Sequence, residues 1–365
     1  MTSKPHLFCI AVPVLLCAGR MAGHSRAQTI RAKPPSSNAE ITLCAVGDIL
    51  LDRGVAKEIE RHGLHYPFGQ VAPMLKSADV AFGNLECPIA SEGTKIVKQF
   101  VFKAKPEYSP MLRDAGFDML SLANNHTLDC GRTGLLETMQ NLQRHNIRWT
   151  GAGRNRSEAE RATILNVRGV RIAFVGFCEF LPEGVFTNDE KPGIAFASAE
   201  NVRRVVSAAR RQSDVVVASF HWGTEYANRP RALQTELAHV AARSGADLVL
   251  GHHPHVLQGL QMVVTRDAST RKVHRTLVAY SLGNFVFDPA RERGAAPTET
   301  IVLRCRLRKS GIVAAQAVPM KIDNTRPRQA TSAEAKAILS RLAALSRELK
   351  THVTSGRVDM RPVAR

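Results

Sequence analysis

Aromatic residues are scarce in this chain, at 5% of the total. That is too few for the stacking platforms on which single-strand nucleic-acid binders depend. No internal stretch reaches the ~20 consecutive apolar residues of a bilayer-spanning helix. The seven cysteines are scattered with no Cys-x-x-Cys pair, which argues against a zinc ribbon or a thioredoxin-type motif. Glycine and proline, at 25 and 18 residues, stay near background, so a collagen-like or low-complexity chain is excluded. Acidic residues are outnumbered, 32 against 50 basic, for a net charge of +18. A surface that positive attracts polyanions, an acidic polymer or anionic lipid head groups, and with so few aromatics nucleic acid is not the expected partner. What remains is a globular composition: 365 residues, 44% apolar and 22% charged, enough for a substantial buried core.

Residues 1–27 read as an export signal. Lys4 and His6 begin it, Leu7 to Ala18 supply an apolar run, and Ser25-Arg26-Ala27 has the small-x-small pattern of a cleavage site. Pro13 weakens a helix there, and bulky Leu16 argues against lipid modification of Cys17. The expected location is therefore periplasmic or otherwise extracytoplasmic, with membrane association left open. Residues 28–39 are polar and Pro/Ser-rich, as a linker would be. Without the leader five cysteines remain; Cys44 and Cys178 lie in apolar runs expected in the core, and a Cys87–Cys130 bridge is conceivable.

One pattern then recurs: a short apolar run stops at a polar cluster and a helix-like stretch follows. The runs are Ile41–Val46, Val80–Gly83, Met119–Ala123, Arg171–Phe177, Val215–Phe220, Leu248–Leu250 and Thr276–Ser281. Strands buried on both faces look like this, and helices between them imply βα units feeding a largely parallel sheet. Helical spacing marks 133–144 and 231–243. The expectation is one α/β domain over 40–323 and a basic extension over 324–365, with a Pro/Arg-rich break at 324–330. In the extension Ser332 would cap a helix striped by Ile338, Leu342 and Leu345, docked on the main domain or offered to a partner, and 352–365 would fray.

In open α/β sheets ligands bind beyond the carboxyl ends of strands, and five of the runs end there in metal-binding residue types. They supply Gly47-Asp48, Gly83-Asn84-Leu85-Glu86, Asn124-Asn125-His126, His221-Trp222-Gly223 and Gly251-His252-His253-Pro254-His255. Singly each is a cap or a turn. Together, two acids, an amide oxygen and several imidazoles suit Zn, Mn or Fe and are too rich in nitrogen for calcium. His253 and His255 would project to one side of an extended segment and address adjacent metals, with a carboxylate bridging cations ~3.5–4 Å apart.

The order Gly-Asp, Gly-Asn-x-Glu, Asn-Asn-His, His-Trp-Gly-x-Glu-Tyr, Gly-x-His-Pro-His-Val and Ser-Leu-Gly-Asn-Phe resembles the CapA/PgsA-like capsule-synthesis family (poly-γ-glutamate capsule). That family is itself similar to calcineurin-like metallophosphoesterases. The resemblance covers about residues 42–288 and implies a layered β-sheet core flanked by helices. It implies metal-ligand roles for Asp48, Asn125, His221, His253 and His255, with Glu86 as candidate bridging acid and His126 as the acid that protonates a leaving group. Two departures stand out. Leu50 occupies the place of the usual histidine two residues after the aspartate, and the second motif offers Glu86 at an altered spacing, so the count of one or two divalent metals stays open; His252, the variable position of Gly-x-His-Pro-His, is the candidate to compensate. Weaker expectations attach to Asn84 and Glu225 as supporting groups, Asn284 as site neighbour or turn residue, and Arg53 with Lys95, Lys98, Lys103 and Lys105 as contacts for an anionic substrate. Trp222 is expected to pack.

Two functions compete at this level. One is a metal-dependent hydrolase of exported anionic material, resembling a phosphoesterase. The other is a non-catalytic accessory protein that binds capsule polymer or organises a synthase complex at the membrane.

Overall fold

A computed structural model of the chain describes residues 39–180, 190–266, 273–288 and 297–361; the leader and all but the last residue of the linker lie outside the described residues. All seven expected runs are strands, but they belong to two sheets instead of one. In the ten-stranded sheet Ile41–Ile49, Val80–Leu85, Met119–Ser121 and Arg148–Thr150 run parallel in that order. The antiparallel Glu299–Arg308 and Gly311–Asp323 continue that sheet on the other flank of Ile41–Ile49. In the six-stranded sheet Val170–Cys178, Val215–His221, Leu248–His252 and Val273–Ala279 are parallel neighbours, edged by antiparallel Thr163–Val167 and Leu260–Arg266.

Side chains alternate between the faces of a strand, and here both faces are apolar, so each sheet needs cover on both sides. Leu43, Ala45 and Phe82 of the first sheet pack in one cluster with Phe174, Val217 and Leu250 of the second. Phe82 stacks on Phe174 with ring centroids 5.8 Å apart. The opposite faces go to helices. Cys44, Val46 and Ala81 meet Val55 and Leu135 from helices Arg53–His62 and Gly131–Arg144. Val216, Ala218 and Val249 meet Val206 and Leu237 from helices Ala199–Gln212 and Ala232–Arg243. The order is helices, sheet, sheet, helices, the layered α/β architecture that the resemblance implies.

The extension is more integrated than its composition suggests. Arg326–Gln329, expected as a break, is a strand paired with Met320–Asp323. The segment expected to fray forms a small hairpin, Val353–Thr354 with Arg357–Val358, joined to the large sheet at Gln316. The helix Ser332–Glu348 is capped by Thr331, not Ser332; the Thr331 side chain and Glu334 form a reciprocal capping box. Ile338 and Leu342 of that helix are buried in the cluster between the sheets. The five described cysteines are buried and free: Cys87 Sγ accepts from Leu51 N–H and Cys130 Sγ points to Phe102 O, so there is no Cys87–Cys130 bridge. No described helix is long and apolar enough to cross a membrane.

Candidate metal centre

The two sheets present the carboxyl ends of their parallel strands to one site. Asp48 stands near the end of Ile41–Ile49, just after Gly47, where a Cβ would lie 1.8 Å from Gly283 O. Only glycine permits that approach, which lets Asp48 N–H donate to Gly283 O at 3.0 Å. Asn84 and Glu86 come from the end of the second strand, and Asn124, Asn125 and His126 follow the third. From the other sheet come His221 and His252, paired in register on adjacent strands. The segment after His252 is not extended as expected: His253 and His255 have φ of +92° and +59°, a left-handed backbone that non-glycine residues adopt rarely. That turn brings His253 N–H to within 3.3 Å of Asp48 Oδ2.

Glu86 is the hub. Its Oε1 lies 3.8 Å from His221 Nε2 and 3.9 Å from the Nε2 atoms of both His126 and His255. Asp48 is 3.4 Å from His252 Nδ1 through one oxygen and 3.4 Å from His255 Nδ1 through the other. Glu86, His221 and His253 form one group whose ligand atoms all lie within 4.8 Å of one another; Asp48, Glu86 and His255 form a second. Glu86 belongs to both, the position of a bridging carboxylate.

The residues present fit a cation. Both Glu86 oxygens, His221 Nε2, His253 Nδ1 and Asn125 Oδ1 are buried with no hydrogen-bond partner. Each such atom costs about 1–3 kcal/mol if left unsatisfied, and a shared ligand accounts for those of Glu86, His221 and His253, whose ligand atoms lie within 4.8 Å of one another. Ligand atoms held at ~2.1 Å from one ion lie roughly 3–4 Å apart, the spacing found around Glu86. Mixed imidazole and carboxylate donors suit Zn, Mn or Fe.

Electrostatics agree. Burial, aided by Asp48, pushes the Glu86 carboxyl well above its ordinary range. Burial opposes ionisation of Asp48 too, but hydrogen bonds from His252 and His255 hold it well below the usual value. Burial and His253 push His221 well down, and burial with His255 takes His253 to about 3. His255 goes the other way, to about 9, because Glu86 and Asp48 outweigh its burial. Imidazoles with depressed values stabilise the fold above their unfolded pKa and lose that contribution as pH falls. The metal-free protein should therefore lose thermal stability as pH drops from about 6.5 toward 4, Asp48 adding to the loss and Glu86 offsetting part of it. A melting temperature flat across that range in chelator would contradict this charge distribution.

Around the hub, Asn84 Nδ2 donates to Asp48 at 2.9 Å, and Asn84 Oδ1 accepts from Asn124 at 3.1 Å. Asn284 Oδ1 contacts His255 Nδ1 at 2.9 Å, so it supports the site and is not merely a turn residue. His126 lies with Nδ1 2.8 Å from Asp129 Oδ2, its ring stacked on Phe102 at 4.1 Å and its Nε2 toward Glu86. Glu225 groups with His253 and His255. Arg53 pairs with Asp288 at 3.5 Å and covers Phe102, on the rim. Of the lysines only Lys98 turns inward, donating to Asn125 O at 2.8 Å and pairing with Asp129; Lys103 donates to Ser91 O and Lys105 pairs with Glu60. Leu50 is fully buried in the apolar core, so that position supplies no ligand. Trp222 packs, stacked on Phe220 with its N–H donated to Tyr280 O. Asp129 was not singled out in the sequence, although its i+3 spacing from His126 was there to be read.

Comparison with known proteins follows the same outline. The model of the bacterial capsule synthesis protein family PGA_cap matches residues 42–289. The capsule biosynthesis protein CapA of Bacillus anthracis is 32% identical over 341 residues, covering 90% of this chain and 79% of that one. The PGA biosynthesis protein CapA of Bacillus subtilis is 32% identical over 331 residues, covering 89% and 83%. Among solved structures, the NAD nucleotidase of Haemophilus influenzae superposes with a TM-score of 0.45 at 13% identity, covering 84% of this chain and 63% of that one. The family model and both CapA relatives show that the chain belongs to the bacterial capsule synthesis protein family PGA_cap.

Proposed function

We propose that this protein is an exported capsule-biosynthesis protein whose metal centre hydrolyses anionic material by phosphoesterase-like chemistry. The observation that carries the proposal is the set of buried, unpartnered ligand atoms on Glu86, His221, His253 and Asn125. Asp48, Glu86, Asn125, His221, His253 and His255 would hold one or two divalent transition metals. A cation there supplies Lewis acidity and lowers the pKa of bound water from 15.7 toward ~7.

The chain's own residues do the rest. Asp129 fixes the His126 ring so that Nε2 faces the site, where it can deliver a proton to a departing oxygen. Burial lowers the His126 pKa despite Asp129, which makes the protonated ring a stronger acid while reducing its population at neutral pH. Phe102 covers one face of the ring and keeps water from it. Arg53, on the rim beside Phe102, and the +18 surface draw in anionic substrate.

The accessory role remains the rival because Leu50 leaves the first motif one ligand short. Hydrolysis of a generic phosphodiester by the purified mature protein separates them. Activity that chelation removes, added Mn or Zn restores and His221→Ala or His255→Ala eliminates is expected. Metal-loaded protein with no hydrolysis, whose salt-sensitive binding of anionic polymer survives chelation, would establish the accessory role.

A further inference from the structure

A second concave site lies where an edge strand of each sheet meets. Arg148–Thr150 ends the large sheet and Thr163–Val167 ends the small one, and between them opens a cleft of about 590 Å³. That volume is within the range of small-molecule sites. The cleft shares no residue with the metal centre. Trp149 is half-buried: it packs against the core cluster beneath it and also lines the cleft. Arg148, Arg154 and Arg161 surround it against one carboxylate, Glu158. Arg154 is engaged by Glu158 at 3.5 Å. Among the described residues, the Arg148 and Arg161 side chains have no ion pair or side-chain hydrogen bond, although both stand in a cleft with an acid in it.

Guanidinium groups form bidentate hydrogen bonds to planar or tetrahedral oxyanions, and an indole face offers a stacking surface to a ring. A lining of three positive charges and one negative leaves two positive charges, the complement of a phosphate monoester at about −1.5 to −2. The geometry points to a binding site for a small ring-bearing phosphate monoester, a sugar phosphate or a nucleotide. The ring lies on Trp149 and the phosphate between Arg148 and Arg161. Gln143 and Asn146, also in the lining, are placed to meet ring hydroxyls or base edges.

The chain has two tryptophans; Trp149 lines the cleft while Trp222 is fully buried away from it, so a fluorescence change on filling the cleft is read from Trp149 over a constant Trp222 background. Full-length protein in chelator, where the metal centre is silent, is titrated with glucose 6-phosphate, adenosine 5′-monophosphate and inorganic phosphate, followed by calorimetry and, for the sugar phosphate, by fluorescence. Binding of at least one ring-bearing probe more tightly than inorganic phosphate is expected. Arg148→Gln/Arg161→Gln should weaken it roughly tenfold or more, and Trp149→Phe, which preserves packing, should abolish the fluorescence change. Which ring probe binds identifies sugar or nucleotide. Affinity unchanged in the double variant, inorganic phosphate binding as tightly as both ring probes, or no probe binding below millimolar concentration would overturn the assignment. Because the measurement is made without metal, its failure leaves the hydrolase proposal standing.

Discussion

Glu86→Gln is expected to strip the protein of bound transition metal and take hydrolysis to background. A glutamine keeps the shape but offers one neutral carbonyl oxygen where Glu86 offers two charged ones, and Glu86 is common to two of the three ligand groups. Loss of a supporting hydrogen bond around a metal ligand typically costs 10–100-fold in affinity; loss of the bridging ligand itself should exceed that. The same substitution should leave the metal-free protein as stable as the parent or more so. Glu86 is fully buried with neither oxygen partnered, and that burial penalises its charged form. A variant that loses metal and activity while its melting temperature in chelator holds or rises is the signature of a ligand, whereas a merely structural glutamate would lower both together. Metal content by mass spectrometry and thermal melts in chelator read the two effects separately.

His126→Gln should behave differently: metal content unchanged and kcat reduced by about 10²–10⁴, the usual contribution of a positioned acid or base. Its ring reaches the centre only through Nε2 at 3.9 Å from Glu86, while Nδ1 is committed to Asp129. Asp129→Asn should also lower kcat with metal retained, since the amide no longer fixes the ring's tautomer and orientation. Loss of metal in His126→Gln would make this residue a ligand and remove it as the proton donor. The sign of the pH effect follows from burial, which lowers the His126 pKa. A rate that needs the protonated ring falls as pH rises through that lowered value, so the descending limb should begin below pH ~6.5. A descending limb placed above that would mean that a different group gives the proton.

Much of the centre is legible in the sequence because its parts are strand ends. An apolar run that stops at Gly-Asp or at His-Trp announces both the strand and the side chain beyond it, and Asp48, Glu86, His221, His253 and His255 do come together. What cannot be read locally is which sheet a strand joins. Val-rich runs such as 215–220 look alike whether they continue one sheet or face it from a second, because both arrangements bury both faces. The single-sheet expectation fails there, and the site proves to straddle two sheet ends. The His253–His255 turn departs from an extended segment because a tertiary contact, the bond from His253 N–H to Asp48, accompanies its left-handed backbone, and spacing alone does not encode that contact. Which imidazole Glu225 stands beside is also set by tertiary contact: the left-handed Tyr226, whose N–H donates to Pro254 O, ties that loop to the His253–His255 turn. Thr331 won over Ser332 as cap by one residue, the ordinary uncertainty of a helix end.

Crystals of the metal-loaded protein measured at the absorption edge of the bound metal test the central claim most directly. The account predicts an anomalous peak within bonding distance, ~2.0–2.2 Å, of a Glu86 oxygen and a His221 nitrogen. A fully loaded protein with its peak elsewhere, or with Glu86 and His221 bonded only to water, would contradict it.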